Sequence, residues 1–112
     1  MRFYCSDDTV DLEQYPYHVR DVHISDPFIL ADPKSRCYYT YVQFADTERF
    51  PDVETDKEHG VFYVLESKDL IHWSKPQICF RQNNFGADKD YWAPEVHIWK
   101  GRYYLFSSFR AD

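Results

Sequence analysis

The sequence predicts an all-β chain of short antiparallel strands, and three observations carry that reading. Aromatic residues fill 20% of its 112 positions, as 10 Tyr, 9 Phe and 3 Trp, and these residue types favour half-buried pleated surfaces. Runs of aromatic and β-branched residues recur between clusters of Pro, Gly, Asp and Ser, the pattern of strands divided by turns. No stretch carries an apolar stripe at helical spacing of useful length.

Taken in order, residues 1–20 have weak periodicity and many polar groups and read as a lead-in segment with one edge strand. Pro27-Phe28-Ile29-Leu30 is a short apolar run closed by the turn Ala31-Asp32-Pro33-Lys34-Ser35-Arg36, and Cys37-Tyr38-Tyr39-Thr40-Tyr41-Val42-Gln43-Phe44 is a second strand. Residues 45–59 are charged, contain Pro51 and show no hydrophobic repeat, which predicts a long solvated loop. Gly60 opens Val61-Phe62-Tyr63-Val64-Leu65-Glu66-Ser67. The turn segment Ser67–Trp73 then leads to a short strand near Ile78-Cys79-Phe80. After a polar loop over 81–90, the strand Tyr91–Trp99 turns at Lys100-Gly101-Arg102 into Tyr103-Tyr104-Leu105-Phe106-Ser107-Ser108-Phe109.

An internal repeat organises these strands. Pro27-Phe28-Ile29-Leu30, a turn and Tyr38-Tyr39-Thr40-Tyr41 match Pro94-Glu95-Val96-His97-Ile98-Trp99, a turn and Tyr103-Tyr104-Leu105-Phe106, with the two prolines 67 positions apart. That spacing suits a four-stranded blade with long loops, the repeat unit of a β-propeller, in which the first strand of each blade lines the central axis. The expectation is one complete blade over residues 24–81 and the first half of a second. A partial propeller leaves blade faces open, and the chain stops just after a strand that calls for a hairpin partner. It therefore reads as cut rather than finished, with room for self-association through the open blade faces.

Composition narrows the partners. With 13 Lys+Arg against 19 Asp+Glu the net charge is −6, and an acidic chain without a basic cluster repels phosphate backbones, so no nucleic-acid partner is expected. No apolar run approaches the roughly 20 residues of a spanning helix, so no membrane partner is expected. Met1-Arg2-Phe3-Tyr4-Cys5-Ser6-Asp7-Asp8 turns acidic at once and lacks a signal-peptide core. This favours the cytoplasm unless an export signal lies outside this piece. Cys5, Cys37 and Cys79 are an odd, sparse set that implies no disulfide framework, and no Cys-x-x-Cys pair supports a zinc site. His23 and His97 lie on the expected inner strands, where a lone histidine is ordinarily a hydrogen-bonded core residue, so neither a metal nor another cofactor is expected.

Three segments resemble glycoside hydrolase family 43, whose members are five-bladed β-propellers. His23-Ile24-Ser25-Asp26-Pro27-Phe28-Ile29-Leu30 followed by Cys37-Tyr38-Tyr39 is similar to the family's opening Asp-Pro strand and Tyr-Tyr strand. Ser67-Lys68-Asp69-Leu70-Ile71-His72-Trp73 is similar to its Ser-x-Asp-Leu-x-x-Trp turn. Tyr91-Trp92-Ala93-Pro94-Glu95-Val96-His97 with Gly101-Arg102-Tyr103-Tyr104 resembles its Trp-Ala-Pro-acid hairpin. One departure is Ser25, where many members carry a basic residue. The sister families that cleave sucrose and fructans open with Asn-Asp-Pro-Asn-Gly, which this chain lacks.

The resemblance implies residues 21–112 as the N-terminal part of a propeller glycosidase domain that inverts the anomeric centre of arabinofuranosyl- or xylosyl-type glycans. It makes Asp26 the general base, with Pro27 fixing the backbone direction at the mouth of the inner strand. The general-acid glutamate and the aspartate that tunes it belong to later blades, so this piece is expected to be near inert alone. Trp92 is the candidate sugar-stacking platform, with Phe28 beside the base. Glu95 is a pocket-lining or strand-pairing carboxylate, not the proton donor, and Trp73 is expected to pack under the blade. Two other readings stand beside this one, a non-catalytic carbohydrate-binding module and an assembly β-domain.

Overall fold

A computed structural model of the chain describes residues 10–22, 28–43, 45–56, 60–81 and 89–110. Strands β1 (Tyr17–His18), β2 (Ile29–Asp32), β3 (Cys37–Val42), β4 (Val61–Ser67), β5 (His72–Trp73) and β6 (Gln77–Arg81) form one sheet. Strands β7 (Lys89–Trp99) and β8 (Arg102–Arg110) form a second. Pairing is antiparallel throughout, in the order β1-β5-β4-β3-β2. Strand β6 shares the edge of β4 with β5, since Ser67 pairs with Trp73 and Val64 with Gln77. Strands β5 and β6 therefore act as one interrupted strand beside β4, and the short β1 adds to the far edge of β5, leaving β2 as the opposite edge strand. The β7–β8 hairpin forms a separate two-stranded sheet, the second hairpin that the proline repeat predicts.

Turn chemistry ends each strand. Between Asp32 and Cys37 the chain reverses through Pro33, whose ring presets φ, and through Arg36 in the left-handed region at φ 60°. Lys100 and Gly101 both take positive φ, 49° and 75°. That pair of signs matches the twist of a two-residue hairpin and favours glycine at the second position. The Ser67–Trp73 turn is held by its own side chains. Ser67 Oγ accepts from the N–H groups of Asp69 and Leu70, and Asp69 Oδ1 accepts from those of Ile71 and His72. Asp69 Oδ2 lies 2.7 Å from His72 Nδ1, and Trp73 Nε1 donates to the Leu70 carbonyl.

The core lies on the first sheet. Strand β3 alternates Tyr38, Thr40 and Val42 on one face with Cys37, Tyr39 and Tyr41 on the other, and all but Tyr39 are buried, as befits a central strand covered on both sides. Tyr17, Tyr38, Val42, Phe50, Tyr63, Leu65 and Trp73 form a single apolar cluster. Trp73 is 2% exposed, under the blade as expected.

Two segments that looked peripheral in sequence contribute to this cluster. The lead-in places Tyr15 and Tyr17 in the interior, where Tyr15 donates to Glu66 at 2.7 Å and Tyr17 to Asp46 at 2.9 Å. Burial and the Asp46 carboxylate together push the Tyr17 hydroxyl up to about 12. The charged stretch after β3, read as a solvated loop, sends Phe50 inward to 6% exposure, edge-on to Tyr17 at 5.0 Å. Arg49 then bonds Asp21 and the Pro16 carbonyl, while Lys75 meets Asp52 and Arg81 meets Glu54 and Asp56. The correction has a simple cause: one aromatic among charges shows no period, yet burying it removes a large apolar area from water. Among the described residues no helix is long and apolar enough to cross a membrane.

If Phe50 anchors the loop, Phe50→Ala lowers the unfolding free energy by about 3–5 kcal/mol. The exposed neighbour Thr47→Ala changes it by less than about 0.5 kcal/mol. Urea denaturation followed by tryptophan fluorescence measures both.

Candidate functional site

Strands β2 and β7, the leading strands of the two hairpins, are in contact with each other. Phe28, just ahead of β2, is partly buried, and its ring meets the His97 ring at 5.7 Å. His97 in turn packs against Phe106 of β8 at 5.8 Å, so the imidazole sits between two aromatic rings, one from each sheet. Glu95, two residues earlier on the same face of β7, places Oε1 3.7 Å from His97 Nε2, an ion-pair distance when the ring is protonated. Both side chains are about half exposed. A carboxylate, an imidazole and an aromatic face at one spot can bond the hydroxyls of a sugar and cover its apolar face.

Register irregularities aim these groups. The β7–β8 ladder runs Lys89↔Arg110, Trp92↔Ser108, Glu95↔Phe106, so β7 carries one extra residue in each interval, two bulges in succession. Ala93 takes φ 49° and buried Pro94 follows it. A bulge is where a strand accepts a proline without losing a ladder bond, and it re-aims the side chains on either side.

Of the expected site residues, Phe28 and Glu95 are brought together, with His97 between Phe28 and the β8 aromatic. His97 is half exposed rather than a core residue, because its face of the hairpin is open. Trp92 is described through its backbone, paired with Ser108. Asp26 and His23 fall in residues 23–27, outside the described residues. Among the described residues no group of three or more His, Cys, Asp or Glu side chains is arranged to hold a metal ion.

Sequence reasoning passed over two polar groups that hold this region. Thr40, fully buried on β3, donates its hydroxyl to the Phe28 carbonyl at 3.0 Å. Asp32, 1% exposed at the end of β2, accepts from Lys34 N–H, from Ser35 Oγ and, at 2.5 Å, from the hydroxyl of Tyr103 on β8. The last bond ties the two sheets together. It also holds the Asp32 carboxyl below the usual carboxylate range, with the Ser35 and backbone donors adding to it against the opposing effect of burial. The same bond pushes the Tyr103 hydroxyl up to about 12. An Asp next to Pro in a turn signals turn formation, and nothing local in sequence signals its partner on the next blade.

Comparison with known proteins places this geometry. The model of the family described as "Glycosyl hydrolases family 43" matches residues 18–112. The crystal structure of an endo-arabinase from Bacteroides thetaiotaomicron VPI-5482 superposes with a TM-score of 0.67 at 31% sequence identity, over 85% of this chain and 29% of that one. The chain thus spans under a third of the length of that solved relative. No curated protein matches it.

A carboxylate with a depressed folded-state value stabilises the fold above its unfolded value of about 3.9 and stops doing so as pH falls through the lower folded value. Tyr103→Phe removes the leading cause of that depression. Acid unfolding followed by circular dichroism is expected to begin at higher pH in the variant, with a loss of roughly 1–3 kcal/mol at neutral pH.

Proposed function

The chain belongs to glycosyl hydrolases family 43, and from that premise we propose that it forms the first blade and a half of an inverting glycosidase acting on arabinofuranosyl- or xylosyl-type glycans. The observation that supports the reading is the approach of β2 and β7, which gathers Phe28, the residue that follows Asp26-Pro27 in sequence, with His97 and its neighbour Glu95. The likeness to an endo-arabinase supports arabinose-containing glycans as the substrate class.

In this mechanism Asp26 is the general base. It takes a proton from a water molecule as the water oxygen attacks the anomeric carbon, and the glycosidic oxygen leaves with a proton from a general acid on a later blade. Inversion requires the two carboxyl groups to stand roughly 6.5–9.5 Å apart, so that the water fits between base and sugar. Trp92 and Phe28 supply apolar surface for the ring, and Glu95 accepts sugar hydroxyls without donating the catalytic proton. The chain by itself holds the base and not the acid, and turnover by it alone is expected to be near zero. The exposed Trp99, Tyr104 and Phe106 on β7–β8 support self-association of the chain in isolation.

The test uses the intact protein that carries this chain. Asp26→Asn is expected to lower kcat on linear arabinan by about 10²–10⁴-fold, and proton NMR of the first product is expected to show the inverted anomer. Unchanged turnover in the variant, or a retained anomer, overturns the reading.

A further inference from the structure

His97 is half exposed, yet its ring is gripped by its neighbours. Phe28, ahead of β2, tilts against it at 57° with centroids 5.7 Å apart, and Phe106 of β8 meets it near edge-on at 5.8 Å. Ring pairs at these separations attract beyond the area they bury, so packing rather than solvent sets the direction of the imidazole. Glu95 lies two residues earlier on the same face of β7, directly across the ladder from Phe106. Its Oε1 stands 3.7 Å from His97 Nε2, and both side chains face water over about half their surface.

That gap is too long for a direct hydrogen bond. It is short enough for one oxygen to bond both atoms at about 2.8 Å each. The chemistry of the two ends selects the oxygen. An ionised Glu95 only accepts, and Nε2 of the imidazolium or of the matching neutral tautomer only donates. A hydroxyl does both at a single atom, whereas an ammonium has nothing to accept with and a carboxylate nothing to donate. The exposed Phe106 ring beside Glu95 adds apolar surface for the carbons that carry such a hydroxyl. We propose that Glu95 and His97 clamp one hydroxyl of an arabinofuranosyl unit, with Nε2 donating to its oxygen and Oε1 accepting its proton. The clamp deepens the arabinan-cleaving reading and rests on it. It makes His97 a specificity-determining residue, because a sugar lacking that hydroxyl leaves a carboxylate and an N–H unpaired against carbon.

The experiment measures KM and kcat of the intact protein on linear arabino-oligosaccharides for His97→Phe, His97→Gln, Glu95→Ala and the double variant His97→Phe with Glu95→Ala. Phenylalanine keeps a flat ring between Phe28 and Phe106 and removes the donor. It is expected to raise KM about tenfold with kcat within about twofold, the pattern of binding lost equally from ground and transition states. Glutamine restores an N–H and is expected to recover most of that loss. The double variant is expected to stay near tenfold rather than reach about 100-fold, because both changes release the same hydroxyl. Among oligosaccharides deoxygenated at one position at a time, one is expected to match the KM of His97→Phe in the wild type and to rise no further in the variant. Glu95→Ala with the same deoxy substrates reads the clamp should His97→Phe fail to fold. Wild-type KM in His97→Phe marks a surface ion pair only and overturns the clamp. So does a loss confined to kcat, or a double variant whose KM rises by the product of the single effects. An intact protein that neither binds nor cleaves these oligosaccharides overturns the substrate reading, and the clamp falls with it.

Discussion

A single buried carboxylate governs how the two sheets meet. Asp32 stands at the end of β2 with almost no exposed surface, and a charge there is tolerable only while its oxygens are bonded. Lys34 N–H and Ser35 Oγ, both from its own turn, supply local donors, and Tyr103 supplies one from the next hairpin. The carboxylate thus shapes the β2–β3 turn and orients β8. With β8 oriented, its partner β7 runs beside β2, and the ring contact of Phe28 with His97 follows. The candidate site is in this sense a by-product of satisfying one charge at the opposite end of the same strand.

The two hairpins share a plan and differ in closure. The first reverses through four residues around Pro33, with Asp32 bonding into the turn. The second reverses through Lys100-Gly101 with both residues in the left-handed region, and its site-bearing strand is bent by two bulges instead. The first sheet keeps a regular β2–β3–β4 register and shifts once between β4 and β6, at Phe62/Tyr63, whereas two shifts fall on β7 near Trp92, Ala93 and Pro94. Bulges commonly occur next to functional sites because they redirect side chains without ending the strand.

Much of this was legible in the residues. Tyr38-Tyr39 and Tyr103-Tyr104 each follow a turn and a proline-led strand, and that repetition is enough to place β2–β3 and β7–β8 in equivalent positions. The Ser67–Trp73 turn was likewise recognisable, because Ser and Asp at those spacings satisfy backbone donors locally. What escaped reading were contacts between residues distant in sequence. Tyr15 reaches Glu66 across 51 positions, and Phe50 enters the core from a stretch whose other residues are charged. Thr40 looked like one more good strand former, and its hydroxyl gains meaning only once pairing with Ile29 brings the Phe28 carbonyl within reach. Periodicity reports which face a side chain occupies. It carries no information on which distant atom that side chain bonds.

The bond between Tyr103 and Asp32 closes a chain segment of 71 positions, whereas the Asp32↔Cys37 pair closes one of five. Loop-closure entropy rises with the logarithm of length, so the longer closure costs about 2 kcal/mol more before any contact rewards it. Local hairpins of this size form in microseconds, which sets an order of events along the folding route. Each hairpin can zip from its own turn, and the tyrosine latch engages only after both exist. The two hairpins are therefore separate units that dock, and the spacing of β2 against β7 is set by that docking rather than by either turn.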